Sequence, residues 1–126
     1  MRNRGKSMDL PVIKAEFLLD DKGKPKVRAS RHYEIKVYVQ DTPSDTHKVT
    51  YYLDPTYFDP VREARDGASQ FAEELTSYGD YIVQAKIRTS DHSILAKRSL
   101  FEALHETYGN APDPSIQKAL DDIRDN

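Results

Sequence analysis

HYEIKVYV, residues 32–39, decides the fold class of this chain. Apolar side chains occupy every second position of this stretch, at Tyr33, Ile35, Val37 and Val39, and charged or polar side chains alternate with them. A period of two residues is typical of a β-strand that buries one face in a core and turns the other to water. The stretch therefore predicts a strand with one face in the core and the other in water.

Three other stretches show the same alternation, and each is bounded by turn residues. The first begins at Ile13 and ends at Asp20-Asp21-Lys22-Gly23, the second covers residues 48–53, and the third begins at Tyr81. Several strands punctuated by Gly, Pro and Asp predict an all-β sandwich with two facing antiparallel sheets. Residues 61–75 fit either a helical face, through Ala64, Ala68, Phe71 and Leu75, or an extended loop with a short strand at Phe71.

The hydrophobic period changes from two to 3.6 near residue 93. Ser93 is placed to cap a helix with Ile94, Phe101, Leu104 and Tyr108 on one side, and Gly109 is placed to end it at the C′ position. Asp113 as N-cap and Pro114 at the first helical position predict a second helix over residues 114–124, with Ile116, Ala119, Leu120 and Ile123 on one face. The predicted organisation is a flexible arm over residues 1–10, a β-sandwich over 11–91 and a helical extension over 92–126.

Composition narrows the function classes. The 126 residues are 37% hydrophobic and 32% charged and include no Cys, which excludes disulfides, thiolate zinc sites and Cys nucleophiles and favours a reducing compartment. Because no apolar run reaches the length of a signal peptide or a membrane span, we expect a cytoplasmic protein without a membrane partner.

The charge is unevenly distributed, with ten Lys or Arg against five acids in residues 1–36 and nine against sixteen in residues 37–126. The densest basic run surrounds Gly23 and Pro25. A solvated hairpin loop explains that run better than a nucleic-acid surface does, so no nucleic-acid partner is expected.

Catalytic patterns are missing from the sequence. Asp91-His92-Ser93 has the residue types of a hydrolase triad, but consecutive residues cannot align nucleophile, base and orienter. The four His have no metal-ligand spacing, and the five Gly are isolated and form no phosphate-binding loop. We therefore expect no catalytic residues, no metal and no cofactor, which makes a non-enzymatic protein the leading hypothesis.

Two segments at strand ends indicate a binding function instead. Residues 53–60 (LDPTYFDP) leave one strand, and residues 77–81 (SYGDY) enter another. Both place aromatic rings beside small or hydroxylated residues. Such an arrangement suits a flat, neutral group held between rings, with a hydroxyl or a backbone N–H bound to its carbonyl.

These segments resemble the YEATS family, and more closely its prokaryotic branch. In that family a strand ends in a Leu-His-x-Ser/Thr-Phe loop containing prolines, and a Gly-Trp/Tyr-x-x-Phe loop leads into an alternating strand. Leu53, Thr56 and Tyr57 with Pro60 match the first loop, and Tyr78, Gly79, Asp80 and Tyr81 match the second. His32-Tyr33 stands where the family often has an aromatic after a similar pair, and the resemblance covers about residues 13–91.

The resemblance implies an immunoglobulin-like sandwich that binds acylated lysine or a similar planar ligand, and a role as a sensor in a prokaryotic defence or signalling system. It implies that Tyr57 and Tyr78 form the aromatic walls, that the Thr56 hydroxyl contacts the ligand, that Ser77 and Gly79 are backbone donors, and that Tyr81 supports the pocket. Asp54 stands where the family has His, and an acid there would repel a carboxylated ligand or prefer one rich in donors.

Two other interpretations remain open at this point. Tyr51 and Tyr81 occupy inward-alternating positions and are expected in the core, whereas Tyr57 and Tyr78 are expected on loops. If the pocket were collapsed, the same aromatics would only close one end of the sandwich. Alternatively, the apolar faces of the two helices could dock a protein partner or form a homodimer, with the sandwich as scaffold.

Overall fold

The computed structural model describes residues 10–29 and 31–126, so the predicted flexible arm, apart from Leu10, lies outside the described residues. The described chain forms eight strands followed by two helices. The strands are β1 (Val12–Phe17), β2 (Val27–Arg28), β3 (His32–Gln40), β4 (Lys48–Tyr52), β5 (Val61–Ala64), β6 (Glu73–Ser77), β7 (Ile82–Arg88) and β8 (Ser93–Ser99), and the helices are α1 (Leu100–Tyr108) and α2 (Pro114–Asp125).

The strands form two antiparallel sheets, as the alternation predicts. In the first, β3 lies between β1 and β6 and also pairs with the short β2. In the second, the order is β5-β4-β7-β8. The inward-facing residues of both sheets form one core, in which Ile35, Val37, Tyr51 and Val83 are fully buried. Alternation along the chain thus fixed which side of each strand faces the core.

The ambiguous residues 61–75 carry the chain from the second sheet to the first. They form β5, a short 3-10 turn over Gly67–Ser69 and the start of β6. Gln70 and Phe71 both have positive φ angles, 60° and 58°, which turn the chain sharply between the sheets. The Tyr51 hydroxyl donates a 2.6 Å hydrogen bond to the Phe71 carbonyl oxygen and holds this turn against the core.

The predicted helix over 93–109 is wrong for its first seven residues. Ser93–Ser99 form strand β8, which pairs along its whole length with β7, from Ser93 opposite Arg88 to Ser99 opposite Ile82. The helix begins at Leu100, and its N-cap is Ser99, whose hydroxyl accepts a hydrogen bond from the Glu102 N–H. The second sheet therefore includes residues that the predicted boundary at residue 91 assigned to the helical extension.

Gly109 ends α1 for a reason other than the predicted left-handed C′ conformation. Its φ is −55°, within the right-handed region. A side chain here would nevertheless clash, because a Cβ would lie 2.8 Å from the His105 carbonyl oxygen. Close approach to the preceding turn, and not a positive φ, therefore requires glycine at this position.

Helix α2 matches its prediction closely. Asp113 is the N-cap, its side chain accepts a hydrogen bond from the Ser115 N–H, and Pro114 occupies the first turn. Its predicted apolar face is buried, at Ile116, Ala119, Leu120 and Ile123, as are Leu100, Ala103 and Leu104 of α1. These residues pack within the same chain, whereas Ile94, Phe101 and Tyr108 of the first predicted face are only partly buried against the core. Docking of a partner on that first face stays a prediction.

Helix α1 lies along the outer edge of β1 and covers its backbone. The Thr107 hydroxyl donates a hydrogen bond of 3.0 Å to the Ala15 carbonyl oxygen, and the Tyr108 hydroxyl accepts one of 3.0 Å from the Phe17 N–H. Arg98 of β8 donates to the Ile13 carbonyl oxygen at 3.0 Å. These bonds satisfy edge groups that would otherwise invite pairing with another strand.

Among residues 10–29 and 31–126, no helix has the length and hydrophobicity needed to cross a membrane.

Candidate ligand-binding site

A cavity of about 590 Å³ opens at one end of the sandwich, where β4 ends and β7 begins. Its walls come from the loop that follows β4 and from the loop that joins β6 to β7. Every predicted binding residue lines this one cavity: Asp54, Thr56, Tyr57, Ser77, Tyr78, Gly79 and Tyr81. The volume lies within the range of ordinary small-molecule sites, roughly 300–1,000 Å³.

The loop after β4 is held in shape by Asp54. One of its carboxylate oxygens accepts hydrogen bonds from the Thr56 N–H at 2.9 Å and from the Thr56 hydroxyl at 2.7 Å. These two donors lower the pKa of Asp54 below its ordinary value, so its carboxylate is ionised at neutral pH. The Thr56 hydroxyl proton is therefore committed to Asp54, and its oxygen keeps only acceptor capacity towards a ligand.

Tyr57 is anchored more firmly than its loop position predicts. Its hydroxyl donates a 2.6 Å hydrogen bond to the Thr76 carbonyl oxygen on β6. Its ring packs edge-to-face on Tyr81, with centroids 5.7 Å apart, and the Arg62 guanidinium lies 5.7 Å from its centroid. Arg62 is itself held by the Glu74 carbonyl oxygen at 2.8 Å. The ring thus forms a rigid wall, partly buried against the core.

The second loop is closed on itself through Ser77. The buried Ser77 hydroxyl donates to the Gly79 carbonyl oxygen at 2.7 Å and accepts from the Gly79 N–H at 3.2 Å. The Gly79 backbone N–H thus has a partner inside the loop, and its predicted role as a donor to a ligand stays a prediction. Gly79 also lies against the end of α2, since a Cβ there would come within 2.6 Å of the Asn126 carbonyl carbon.

Tyr78 forms the open side of the cavity. Its side chain is 58% exposed, and its ring meets that of His32 edge-to-face with centroids 5.3 Å apart. The predicted pair of aromatic walls therefore combines a fixed ring at Tyr57 with a solvent-facing ring at Tyr78.

Tyr81 carries a buried hydroxyl that has no hydrogen-bond partner in the described part of the chain. Burial, followed by the nearby phenol of Tyr57, raises the pKa of Tyr81 well above its ordinary value. The ring packs against the core, and its unpaired hydroxyl is unfavourable for folding.

Asp80 connects this loop to helix α1. Its carboxylate accepts hydrogen bonds from the Ser99 hydroxyl at 3.0 Å and from the Phe101 N–H at 2.8 Å. An acid at a helix N-terminus is stabilising, because it pairs with free amides and with the positive end of the helix dipole. The cavity rim is thus coupled to the helical extension.

Sequence reasoning missed six lining residues: His32, Phe58, Arg62, Thr76, Asp80 and Asn126. Phe58 and Asp80 belong to the two segments that the sequence singled out, and their position inside those segments was the available signal. His32, Arg62 and Asn126 come from β3, β5 and the end of α2. Only the tertiary structure brings them to the cavity.

The polar groups of the lining are mostly engaged with one another or with the backbone. The described residues include no cluster of three His, Asp or Glu side chains that could hold a metal ion. The Asp54 and Asp80 carboxylates each accept a hydrogen bond from a backbone N–H. The hydroxyls of Thr56, Tyr57 and Ser77 already donate hydrogen bonds within the protein. What the cavity offers a ligand is mainly aromatic surface, with Asp54, Asp80, Arg62 and His32 as charged or titratable side chains of its lining.

Two antiparallel sheets whose end loops enclose an aromatic cavity define a class of protein by its fold, an immunoglobulin-like β-sandwich. Residues 33–99 match the family model of the prokaryotic YEATS domain, which is more than half of the chain. The chain therefore belongs to the prokaryotic YEATS domain family. The matched region runs from β3 to the end of β8 and contains both loops of the cavity.

Solved structures agree with this fold. A YEATS domain of Yaf9 that recognises a succinylated histone H3 peptide aligns with a TM-score of 0.54 at 20% identity, covering 88% of this chain and 94% of that one. A Yaf9 YEATS domain bound to acetylated histone H3 aligns with a TM-score of 0.51 at 19% identity, covering 72% and 73%. A further match describes Yaf9 as the yeast AF-9 homologue. No curated protein matches the chain.

Proposed function

We propose that this chain is a non-enzymatic recognition module that binds an acylated lysine, or a similar planar amide, in the aromatic cavity between Tyr57 and Tyr78. One observation carries the proposal: the two sequence segments that resemble the acyl-lysine loops of the YEATS family line a single open cavity. The Yaf9 domains of similar fold are described with acylated histone H3 peptides, which supports the same class of ligand here.

The chemistry of the lining supports a neutral planar group. Acylation removes the charge of a lysine and leaves a flat amide that stacks on aromatic rings. The rings of Tyr57, Tyr78 and Tyr81 provide the surface for that stacking, and Tyr57 is held in place by Thr76 and Tyr81. A ligand of this kind buries aromatic surface without requiring a new charge partner in the cavity.

Asp54 supports a preference among acyl groups. Its carboxylate is ionised at neutral pH and lies on the cavity wall, so it repels an acyl chain that ends in a second carboxylate. We propose that acetyl-lysine binds better than succinyl-lysine, in contrast to the succinylated peptide recognised by the Yaf9 domain. The biological role that we propose is ligand sensing in a prokaryotic defence or signalling system in the cytoplasm.

The test is a calorimetric titration with three versions of one short peptide, in which the central lysine is free, acetylated or succinylated. The wild type should bind the acetylated peptide at least severalfold more tightly than the other two. Tyr78→Ala should weaken that binding, because its exposed ring is removed without a cavity in the core. Leu95→Ala is the matched control, since Leu95 is 55% exposed on β8 and does not line the cavity. Equal binding of free and acetylated peptides would overturn the proposal.

A further inference from the structure

Phe58 is the most exposed large apolar side chain of residues 10–29 and 31–126. It is 97% exposed, more than Leu10 at 73%, and it lines the mouth of the cavity. A ring this exposed gives up nearly all of the hydrophobic stabilisation that burial would provide. Isolated exposed apolar residues are ordinary, but this one stands at the entrance of a binding cavity.

The backbone on both sides of Phe58 is fixed. Tyr57 is held by its hydroxyl bond to Thr76 and by its N–H, which donates to the Asp54 carbonyl oxygen at 3.1 Å. On the other side, the Asp59 carbonyl oxygen accepts from Arg62 Nε at 2.9 Å. A rigid loop therefore presents the Phe58 ring to solvent, and little conformational entropy would be lost when a ligand contacts it.

The position of the ring limits which part of a ligand it can reach. Because Phe58 is almost fully exposed, a group enclosed by the cavity would leave most of the ring in water. Only the part of a ligand that extends beyond the mouth can cover it. The cavity of about 590 Å³ is large enough for a small ligand to occupy without covering most of this ring, so a free metabolite would gain little from it.

We propose that Phe58 contacts an apolar side chain next to the modified lysine, so that the ligand is a polypeptide with a hydrophobic residue flanking the acyl-lysine, and not a free acyl metabolite. This inference rests on the proposed acyl-lysine function. Phe58 is then a specificity-determining residue outside the aromatic walls, and it distinguishes among acylated peptides of different sequence.

The experiment compares four acetyl-lysine ligands by calorimetry. One is the single blocked residue, Nα-acetyl-Nε-acetyl-lysine methylamide, and three are pentapeptides with Leu before the acetyl-lysine, Leu after it, or Ser on both sides. The wild type should bind one of the Leu peptides about tenfold more tightly than the Ser peptide, because half of a Phe ring becomes buried. Phe58→Ser should abolish that tenfold gain.

Two controls separate this inference from the proposed function. Leu95→Ser removes another exposed apolar side chain, one that does not line the cavity, and should keep the full gain. The same Leu peptides with free lysine should not bind to wild type or to Phe58→Ser. If acetylated peptides bind better than free ones but the Leu and Ser peptides bind equally, the Phe58 inference is wrong and the proposed acyl-lysine recognition stands. If no acetylated ligand is preferred over its free form, the proposed function itself fails.

Discussion

The Tyr57 hydroxyl and the Thr76 carbonyl oxygen form a 2.6 Å hydrogen bond that crosses from one sheet of the sandwich to the other. Tyr57 follows β4 of the second sheet, and Thr76 lies on β6 of the first. Arg62 of β5 makes a parallel crossing to Glu74 of β6 at 2.8 Å. The carbonyl oxygens of Thr76 and Glu74, on the edge of β6 that pairs with no described strand, thus accept hydrogen bonds from Tyr57 and Arg62. The same two side chains line the cavity.

Removing only the Tyr57 hydroxyl should separate the anchoring role from the stacking role. Tyr57→Phe leaves the Thr76 carbonyl without this partner and should lower the free energy of unfolding by about 1 kcal/mol. Binding of acetylated peptide should weaken little, because the ring remains. Tyr57→Ala removes the ring as well and should weaken binding severalfold or more. Urea unfolding and calorimetric titration of the two variants measure both effects.

The cost of Tyr57→Ala to stability is expected to be smaller than that of Val37→Ala. Val37 is fully buried between the sheets, so its truncation leaves a cavity in the core, whereas Tyr57 is partly exposed at the end of the sandwich. Thermal melts of both variants test this order. A larger loss for Tyr57→Ala would mean that the ring acts mainly as core.

Tyr81→Phe should not destabilise the protein and should stabilise it by up to about 1 kcal/mol, since an unsatisfied buried hydroxyl is expensive. The reason is that the Tyr81 hydroxyl is buried without a partner in the described residues. Tyr51→Phe is the matched control, because the equally enclosed Tyr51 hydroxyl does have a partner in the Phe71 carbonyl oxygen. If both substitutions cost the same in urea unfolding, the Tyr81 hydroxyl has an acceptor in solution.

Tyr108→Phe should leave one backbone amide on the outer edge of β1 without its hydrogen-bond partner. The Tyr108 hydroxyl accepts the Phe17 N–H, so its loss leaves an edge amide unpaired and should cost about 1 kcal/mol. Hydrogen exchange at the Phe17 amide should accelerate in the variant. Tyr38→Phe serves as the control, because the Tyr38 hydroxyl contacts the Glu16 side chain and no edge amide. Unchanged exchange at Phe17 would show that the Tyr108 hydroxyl does not protect this amide.

The sequence predicted the elements in which one period runs without interruption. Strand β3 was correct because its alternation covers the whole strand, and α2 was correct because its cap, its proline and its apolar face agree. The failure at β8 has a physical cause. Ile94 and Phe101 are seven residues apart, which fits two helical turns, yet they belong to a strand and to the helix that follows it. Pairing with β7 decides the conformation of residues 93–99, and that contact is not visible in local sequence.

The candidate site was predictable only to the level of its two loops. Residue types and loop position pointed to Tyr57 and Tyr78, which line one cavity. The internal bonds of the loops were not predictable, because the partner of Tyr57 lies on β6 and that of Asp80 on α1. Nor could the exposure of Phe58 be deduced, since its neighbour Tyr57 has the same aromatic character and is turned against the core.

Asp122 of α2 should make stability depend on acidic pH. Its carboxylate accepts a 2.5 Å hydrogen bond from the Tyr33 hydroxyl and one of 2.9 Å from the Lys118 ammonium group. These bonds, Tyr33 first, lower the pKa of Asp122 below its value in an unfolded chain. A lowered pKa in the folded state means that the stabilisation is present above the unfolded pKa and is lost as the pH falls through the folded pKa.

Asp122→Asn cannot ionise, so its stability should lack this contribution. The free energy of unfolding of the wild type should exceed that of the variant by about 1 kcal/mol near neutral pH. The difference should shrink as the pH falls below the ordinary carboxyl pKa and through the lower pKa of the folded state. Urea unfolding of both proteins at a series of pH values measures this difference in stability. Asp121→Asn, which changes an exposed neighbour on the same helix, is the control for the loss of one negative charge. A difference between wild type and Asp122→Asn that stays constant with pH would mean that the ionised carboxylate does not hold α2 to β3, and the Tyr33 contact would then contribute packing alone.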